Sequence, residues 1–323
     1  AESIPSANVF HTEEWLDFVK NSFSLEYSRY IIKKDGKTAG ILPVFTRKSF
    51  LFGIAGSPLI AENNPYMGWA LNDNSIIDEL IPSVERFLRG RGIGFLRLSF
   101  DHFFFKEAFE KCGYELKEKK SFRLDLSIGE DAVWKNMDMT CRNKARKGEK
   151  GGCVVREITD SSFVEPYYLM SSEVYGRQGI TTLVSKDYYD RIFKDLYPKG
   201  LLKVFMAYSP DNKPIAGAIV LVFKKRAYYL DGVSFREYSK LAPGNFLQWH
   251  IIRRLIADGV ASYDMLGGDM EGIAAYKKSY GAVNHPALYA EKSFGQWIKM
   301  ARNMYTEGKK IKKRLAYIIS SKK

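Results

Sequence analysis

Cysteine is scarce: Cys112, Cys141 and Cys153 are the whole complement, and none stands in CxxC spacing. An odd, small number of this kind argues against a disulfide framework and a thiolate zinc site, and points to a reducing cytoplasm. The four histidines, His11, His102, His250 and His285, are scattered without ligand spacing, so no metal is expected. No stretch approaches the roughly 18 consecutive apolar residues that a membrane span requires. The opening Ala1-Glu2-Ser3-Ile4-Pro5 lacks a basic region followed by an apolar one, so no signal peptide is read there. There is no GxSxG nucleophile turn and no Walker loop, which weakens hydrolase and NTPase readings.

What is present is an ordinary globular balance, with 46% hydrophobic and 27% charged residues. A chain of 323 residues suits two domains of usual size. Aromatic residues at 14% supply material for cores or aromatic-lined clefts. The net charge of +13 favours anionic partners such as RNA, phosphorylated cofactors or an acidic membrane surface, or else serves solubility alone. That charge is uneven. Lys299 to Lys323 holds nine basic residues against Glu307 alone, and Lys135 to Lys150 holds six against two acidic ones.

The two halves repeat one order of signals. Tyr30 to Lys34 runs into a turn at Asp35-Gly36-Lys37 and resumes at Ala39 to Val44; Leu202 to Met206 runs into Ser209 to Lys213 and resumes at Ala216 to Val220. Both predict hairpins. A helix follows in each half. Ser75 is placed to cap Ile76 to Leu88, with Pro82 as a kink or shortening point, and the counterpart runs from about Gly244 to Ala257. Each helix meets a glycine and then a strand, Phe95 to Ser99 or Ala261 to Met265, and each half closes on a short helix with an aromatic and glycine. Gly92 and Gly259 are 167 residues apart, Gly113 and Gly281 168. The joint falls near Phe122 to Leu126. The layout predicts an α/β fold with mixed sheets, in two units of residues 1–124 and 125–292, followed by a basic amphipathic helix over 293–323.

Several strings of the second half then resemble a known family. They are Arg226-Ala227-Tyr228-Tyr229-Leu230-Asp231-Gly232, the run Tyr238 to Trp249 through Pro243-Gly244-Asn245-Phe246, Tyr263 to Gly268, and Tyr276-Lys277-Lys278-Ser279-Tyr280-Gly281. Their succession is similar to the Fem-type peptidyltransferases and their GNAT-like acyltransferase relatives. Trp134 followed by Arg142 to Gly148 resembles the family's basic entry helix. The resemblance covers roughly residues 120 to 285 and implies tandem GNAT-like domains with the donor cleft in the second. It implies transfer of an aminoacyl group from aminoacyl-tRNA to an amine of a peptidoglycan precursor. The long helical hairpin of the staphylococcal-type members is absent, because no sustained heptad run occurs, so acyl-CoA remains open as donor. No tightly bound cofactor is expected.

The resemblance also names a site. Pro243, Gly244, Asn245 and Phe246 fall where GNAT enzymes hold a pyrophosphate on the free N–H groups of a helix N-terminus, although Gly and Asn also suit an ordinary turn. Tyr276 and Lys277 match the Phe–Lys pair beside the acyl donor. Lys277 would pair with phosphate or stabilise an oxyanion, or else belong to a solvated helix face. Asp264 would accept the amine proton or orient an ammonium, or cap the Gly267-Gly268 turn, with Asp269 and Glu271 as neighbours able to do the same. Arg177 is placed to grip phosphates or a peptide. Tyr229 and Asp231 lie on the strand lining the expected cleft, and alternation allows only one of Tyr228 and Tyr229 to face it. In the tail, Trp297, Met300, Met304, Ile311, Leu315 and Ile318 have near-helical spacing, suiting either an anionic membrane or a docked helix. The expected protein is a monomer of the cytoplasm, peripheral to the inner membrane face, with tRNA and an anionic or lipid-linked acceptor as partners. Two rival readings stay open: an acyl-CoA-dependent N-acyltransferase on a small or sugar amine, and a non-catalytic binder of RNA or anionic lipid.

Overall fold

The computed structural model describes residues 3–48, 52–59, 66–177 and 184–304. Helix α1 (Glu13–Phe23) opens the first half, held at its start by Thr12, whose side chain accepts from the Trp15 N–H. It is followed by β1 (Glu26–Lys34), β2 (Lys37–Lys48), β3 (Gly53–Ser57), β4 (Ala70–Leu71), α2 (Ile77–Arg89), β5 (Ile93–Phe100), α3 (Lys106–Lys111) and β6 (Glu115–Lys119). The hairpin β1–β2 turns at Asp35 and Gly36, both with φ above +45°, the backbone that a tight hairpin turn requires. Helix α2 runs through Pro82 unbroken. It starts one residue later than the sequence implies, because Asp73, not Ser75, caps the preceding turn.

The second half contains β7 (Ser121–Asp125), α4 (Glu130–Asn136), α5 (Met139–Lys150), β8 (Val154–Ile158), α6 (Val164–Arg177), α7 (Lys186–Leu196), β9 (Leu202–Tyr208), β10 (Pro214–Phe223) and β11 (Arg226–Ser234). Then come α8 (Pro243–Ala257), β12 (Ser262–Gly267), α9 (Glu271–Lys278), β13 (Val283–Asn284) and β14 (Ala287–Ser293). Alternation decides which layer each strand serves. On β10, Ala216, Ala218 and Val220 face α8, packing with Leu247, Ile251 and Leu255, while Ile219 and Leu221 face the opposite core with α6 and α7.

Two mixed seven-stranded sheets result. The first has the order β1-β2-β3-β5-β14-β6 with β4 on β2, and the second β13-β7-β12-β11-β10-β9-β8. The fold class is as the sequence implies, but the boundary between units is not a clean cut at 124/125. Strand β14, from the end of the second half, inserts antiparallel between β5 and β6 of the first. Strand β7 is already part of the second sheet. Pairing of backbone groups explains the exchange: without β14, both β5 and β6 would leave an inner edge of N–H and C=O groups unmet.

One core cluster also joins the halves. Phe10 is fully buried, with ring centroids 5.2 Å from Trp15, 5.9 Å from Tyr66 and 5.3 Å from Tyr228. Tyr228 belongs to β11 of the second sheet, so these edge-to-face contacts bond the two halves. We predict that Phe10→Ala costs about 3–5 kcal/mol in denaturant unfolding, and that both halves lose structure in a single transition, as followed by near- and far-ultraviolet circular dichroism.

Candidate active site

Strands β11 and β12 are parallel neighbours that stay paired over only three positions, Arg226↔Ser262, Ala227↔Tyr263 and Tyr228↔Asp264. Beyond Tyr228 the two strands part. The opening is a cleft of about 880 Å³. One wall is β11 from Tyr229 to Ser234, the other is the end of β12 with Gly268 to Met270 and α9, and the start of α8 stands at the mouth. The first half contributes Tyr66 and Lys119, and β14 contributes Ala287 and Tyr289. In the first half the equivalent parallel pair, β3 and β5, remains paired to Ser57↔Leu98, and β14 fills the other side of β5. Asp73 there occupies the turn before α2 with its own carboxylate. The opening is thus a property of the second half.

The root of the cleft is a kinked strand end. Leu266 has φ of +56°, left-handed backbone that a branched side chain adopts at a cost, and the β12–β7 register slips between Asp264 and Gly267. This turn presents the Leu266 and Gly267 carbonyls to Lys277 Nζ, which donates to Leu266 O at 3.0 Å and also to Gly267 O. Lys277 lines the cleft yet is only 6% exposed. Burial pushes its ammonium down from the usual lysine value to about 8, against the raising field of Asp264. An ammonium has three donors, so two are fixed on the backbone and a third is left for the cleft.

Asp264 lies beneath the floor rather than in the cleft. Its carboxylate accepts from Tyr66 Oη, Ser121 Oγ (3.0 Å), Arg123 Nη2 (3.2 Å) and the Leu266 N–H (2.8 Å). Four donors fill the lone pairs of both oxygens, so the proton-accepting role expected for Asp264 does not fit; it anchors the kink instead. Arg123 also meets Asp101 at 3.1 Å. Burial works against its charge, but Asp264 and Asp101 outweigh that and hold the guanidinium firmly protonated. Burial, Asp264 and Asp101 push the Tyr66 phenol well above its ordinary value, which keeps it a donor.

Like Asp269 at the rim, Asp231 is a carboxylate that does line the cleft. Burial pushes its carboxyl up, partly opposed by donors from Tyr189, Tyr167 and the Gly232 N–H. Tyr189 Oη stands 3.2 Å from Oδ2 and Gly232 N 2.9 Å from Oδ1. It has no cationic partner among the described ion pairs. Tyr229 also faces the cleft while Tyr228 packs on Phe10, as strand alternation requires. Gly232 leaves room for the Tyr229 hydroxyl: a Cβ there would come within 1.6 Å of it.

At the mouth, Pro243, Gly244 and Asn245 line the cleft. The residue before α8, Ala242, has φ of +51° and offers no side-chain cap, while its carbonyl accepts from the Asn245 and Phe246 N–H groups at 3.1 and 3.2 Å. Tyr276 Oη donates to Gly244 O at 3.3 Å and Asn245 Nδ2 donates to Tyr280 Oη at 3.0 Å, fixing this turn to α9. Phe246 is not with them. One further step around the helix turns its ring onto Gly148 of α5, in a smaller hollow lined by Trp134 and Trp249. Arg177 also stands apart: it ends α6 in an exposed pair with Glu173 at 3.7 Å. Helix α5 packs against α8 with Cys141, Ala145 and Gly148 buried, and its basic residues stand outside the cleft, mostly exposed. Asp269 pairs with Lys119 at 3.0 Å on the rim. Among the described residues no group of three or more His, Cys, Asp or Glu could hold a metal, and no helix is long and apolar enough to cross a membrane.

With this geometry in hand, residues 135–278 match the family model described as an acetyltransferase (GNAT) domain. No curated protein sequence matches the chain significantly. Among solved structures, FemX aligns over 89% of this chain and 93% of its own, with TM-score 0.73 and 13% identity. The tandem GNAT protein from the clavulanic acid biosynthesis pathway aligns over 91% and 90%, with TM-score 0.57 and 12% identity. The C-terminal domain of an Agrobacterium fabrum protein described as a lysylphosphatidylglycerol synthetase aligns over 93% and 97%, with TM-score 0.56 and 15% identity. The chain therefore has a tandem GNAT-like fold, similar over most of its length to that of FemX, and the part that carries the cleft matches a GNAT acetyltransferase domain.

The Asp264 anchor is testable apart from any activity. Asp264→Asn leaves Arg123 short of a buried countercharge, and we expect a loss of about 3–5 kcal/mol in chemical denaturation. Asp269→Asn, on the exposed rim, should change stability by less than about 1 kcal/mol.

Proposed function

We propose that the chain is an N-acyltransferase of Fem type, transferring an aminoacyl group from aminoacyl-tRNA to an amine of a cell-envelope precursor peptide. The observation that carries this reading is Lys277, a buried ammonium at the root of the parted strands with one donor left for the cleft. The similarity of fold to FemX supports an aminoacyl donor. An acyl-CoA donor is the second reading, favoured by the first turn of α8, which lacks a side-chain cap and suits a pyrophosphate.

The chemistry follows from the two titrating groups on the cleft walls. The acceptor amine attacks the ester carbonyl carbon, and the carbonyl electrons move onto oxygen. The third N–H of Lys277 stabilises that oxyanion. Asp231 takes the proton that the amine nitrogen gives up as the C–N bond forms. When the intermediate collapses, the C–O bond to the ribose breaks and Lys277 passes its proton to the leaving oxygen. A lysine held near 8 is a better proton donor than one at its ordinary value. For a thioester the same steps release a thiol. Tyr229 bounds the space beside Asp231, and the turn at Gly244 and Asn245 faces donor phosphates.

Three outcomes are expected. Transfer to an amine acceptor should require aminoacyl-tRNA and stop on RNase treatment; turnover with acyl-CoA that survives RNase would favour the second reading. Lys277→Met should lower kcat roughly 10²–10³-fold. Because the protonated form is needed, wild-type activity should fall as pH rises through about 8, and Lys277→Arg should push that alkaline limb upward. Asp231→Asn should lower kcat roughly 10²–10⁴-fold without loss of stability. The sign is fixed by linkage: Asp231 binds its proton more tightly folded than unfolded, so it costs stability as pH rises through its titration. Thermal unfolding against pH should therefore fall less steeply in the Asn variant as pH rises from the ordinary carboxylate value to the raised folded one.

A further inference from the structure

Residues 296–304 form a helix that leaves β14 and lies across the first sheet. Its inner side is fixed. Ile298 is 6% exposed, and Arg302 donates to Glu291 Oε2 at 3.0 Å and Ser293 Oγ at 3.1 Å with its guanidinium 3.8 Å over the Phe95 ring. Lys299 pairs with Glu115 at 2.6 Å. Its outer side is apolar. Trp297, Met300 and Met304 are 53%, 64% and 75% exposed and stand at i, i+3 and i+7, one continuous stripe of the helix surface. A helix that turns two methionines to solvent, with a half-exposed tryptophan whose ring packs edge-on against Phe52 at 5.6 Å, is a docking face.

We propose that this stripe rests on an anionic bilayer surface. The occupant is argued from charge and composition. The sequence that follows, residues 305–323, lies outside the described residues together with Ile311, Leu315 and Ile318 of the expected helix; it carries seven Lys and Arg against Glu307 alone, so along the chain the apolar stripe is followed by a strongly cationic segment. Apolar side chains with a tryptophan beside clustered basic residues match the acyl boundary and the anionic headgroups of a membrane interface. A protein partner of ordinary composition would not supply so concentrated a counter-charge. The buried Arg302–Glu291 pair and Ile298 hold the helix in one orientation, so the stripe is presented without local refolding. Strand β6 leads from Glu115, bound to Lys299, to Lys119 on the cleft rim, a distance of roughly 14 Å at strand rise. A bilayer-held molecule would thus carry its cleft near the headgroup layer. Membrane contact is nonetheless independent of the reaction proposed above and is tested without it.

The full chain is sedimented with vesicles of phosphatidylcholine alone and of phosphatidylcholine mixed with phosphatidylglycerol, at low and moderate salt. The expected result is pelleting with the mixed vesicles that persists at moderate salt, together with an increase and blue shift of tryptophan emission. The triple variant Trp297→Ser, Met300→Ser, Met304→Ser should bind the same vesicles at least roughly tenfold more weakly, with a thermal midpoint equal to the wild type. Equal binding by that variant, or no binding by the wild type, overturns the proposal. So does a concentration-dependent dimer in light scattering that the triple variant abolishes, since the stripe would then cover a second copy.

Discussion

A single buried carboxylate organises this protein. Asp264 takes donors from Tyr66 of the first half, Ser121 and Arg123 of the strand that joins the halves, and the Leu266 N–H of its own strand end. Arg123 passes the arrangement on to Asp101, which also lies 3.9 Å from Arg226 of β11. Buried charges persist only when paired and hydrogen-bonded, so these groups constrain one another across both sheets. Holding Leu266 at positive φ is part of the same constraint, and that kink is what turns two carbonyls toward Lys277. Lys277 is therefore placed by way of an ion pair that lies beneath the cleft floor.

The two halves share a plan but not a role. In the first, β3 and β5 remain fully paired, β14 covers the next edge, and Asp73 occupies the turn before the helix. In the second, β11 and β12 part after three pairs and the turn before α8 is left without a side-chain cap. The first half then serves the second by lending walls: its Tyr66 and Lys119, with the strand β14 that its sheet holds, border a cleft they do not open. Strand exchange and the Phe10 contacts make that loan permanent.

Much of the fold was legible along the chain. The hairpins at Asp35-Gly36 and Pro210 to Asn212, the helices near 77–89 and 243–257, and the alternation that sends Tyr228 inward and Tyr229 to the cleft all follow from turn chemistry and period. Lys277, Tyr276, Tyr229, Asp231 and the turn at Pro243 to Asn245 were identified through resemblance, and the structure gathers them in one cleft. Phe246 and Arg177 are set apart because a helix step and a helix end face elsewhere. Tyr66, Ser121, Lys119 and Tyr189 carried no local signal of their own. Arg123 had a faint one, as the polar residue between the inward Phe122 and Leu124.

The sequence by itself determined the two hairpins, the helix and strand that follow each of them and the class of fold, because turns, caps and hydrophobic period act over a few residues. It also determined which residue types were available for acyl transfer. Only the tertiary structure decided which carboxylate stands in the cleft and which beneath it. Asp231, partly buried, and Asp264, buried, are acidic residues on neighbouring strands, and their difference lies largely in partners distant along the chain. Tertiary structure likewise decided the lowered ammonium of Lys277, since desolvation is set by what surrounds a side chain and not by what precedes it.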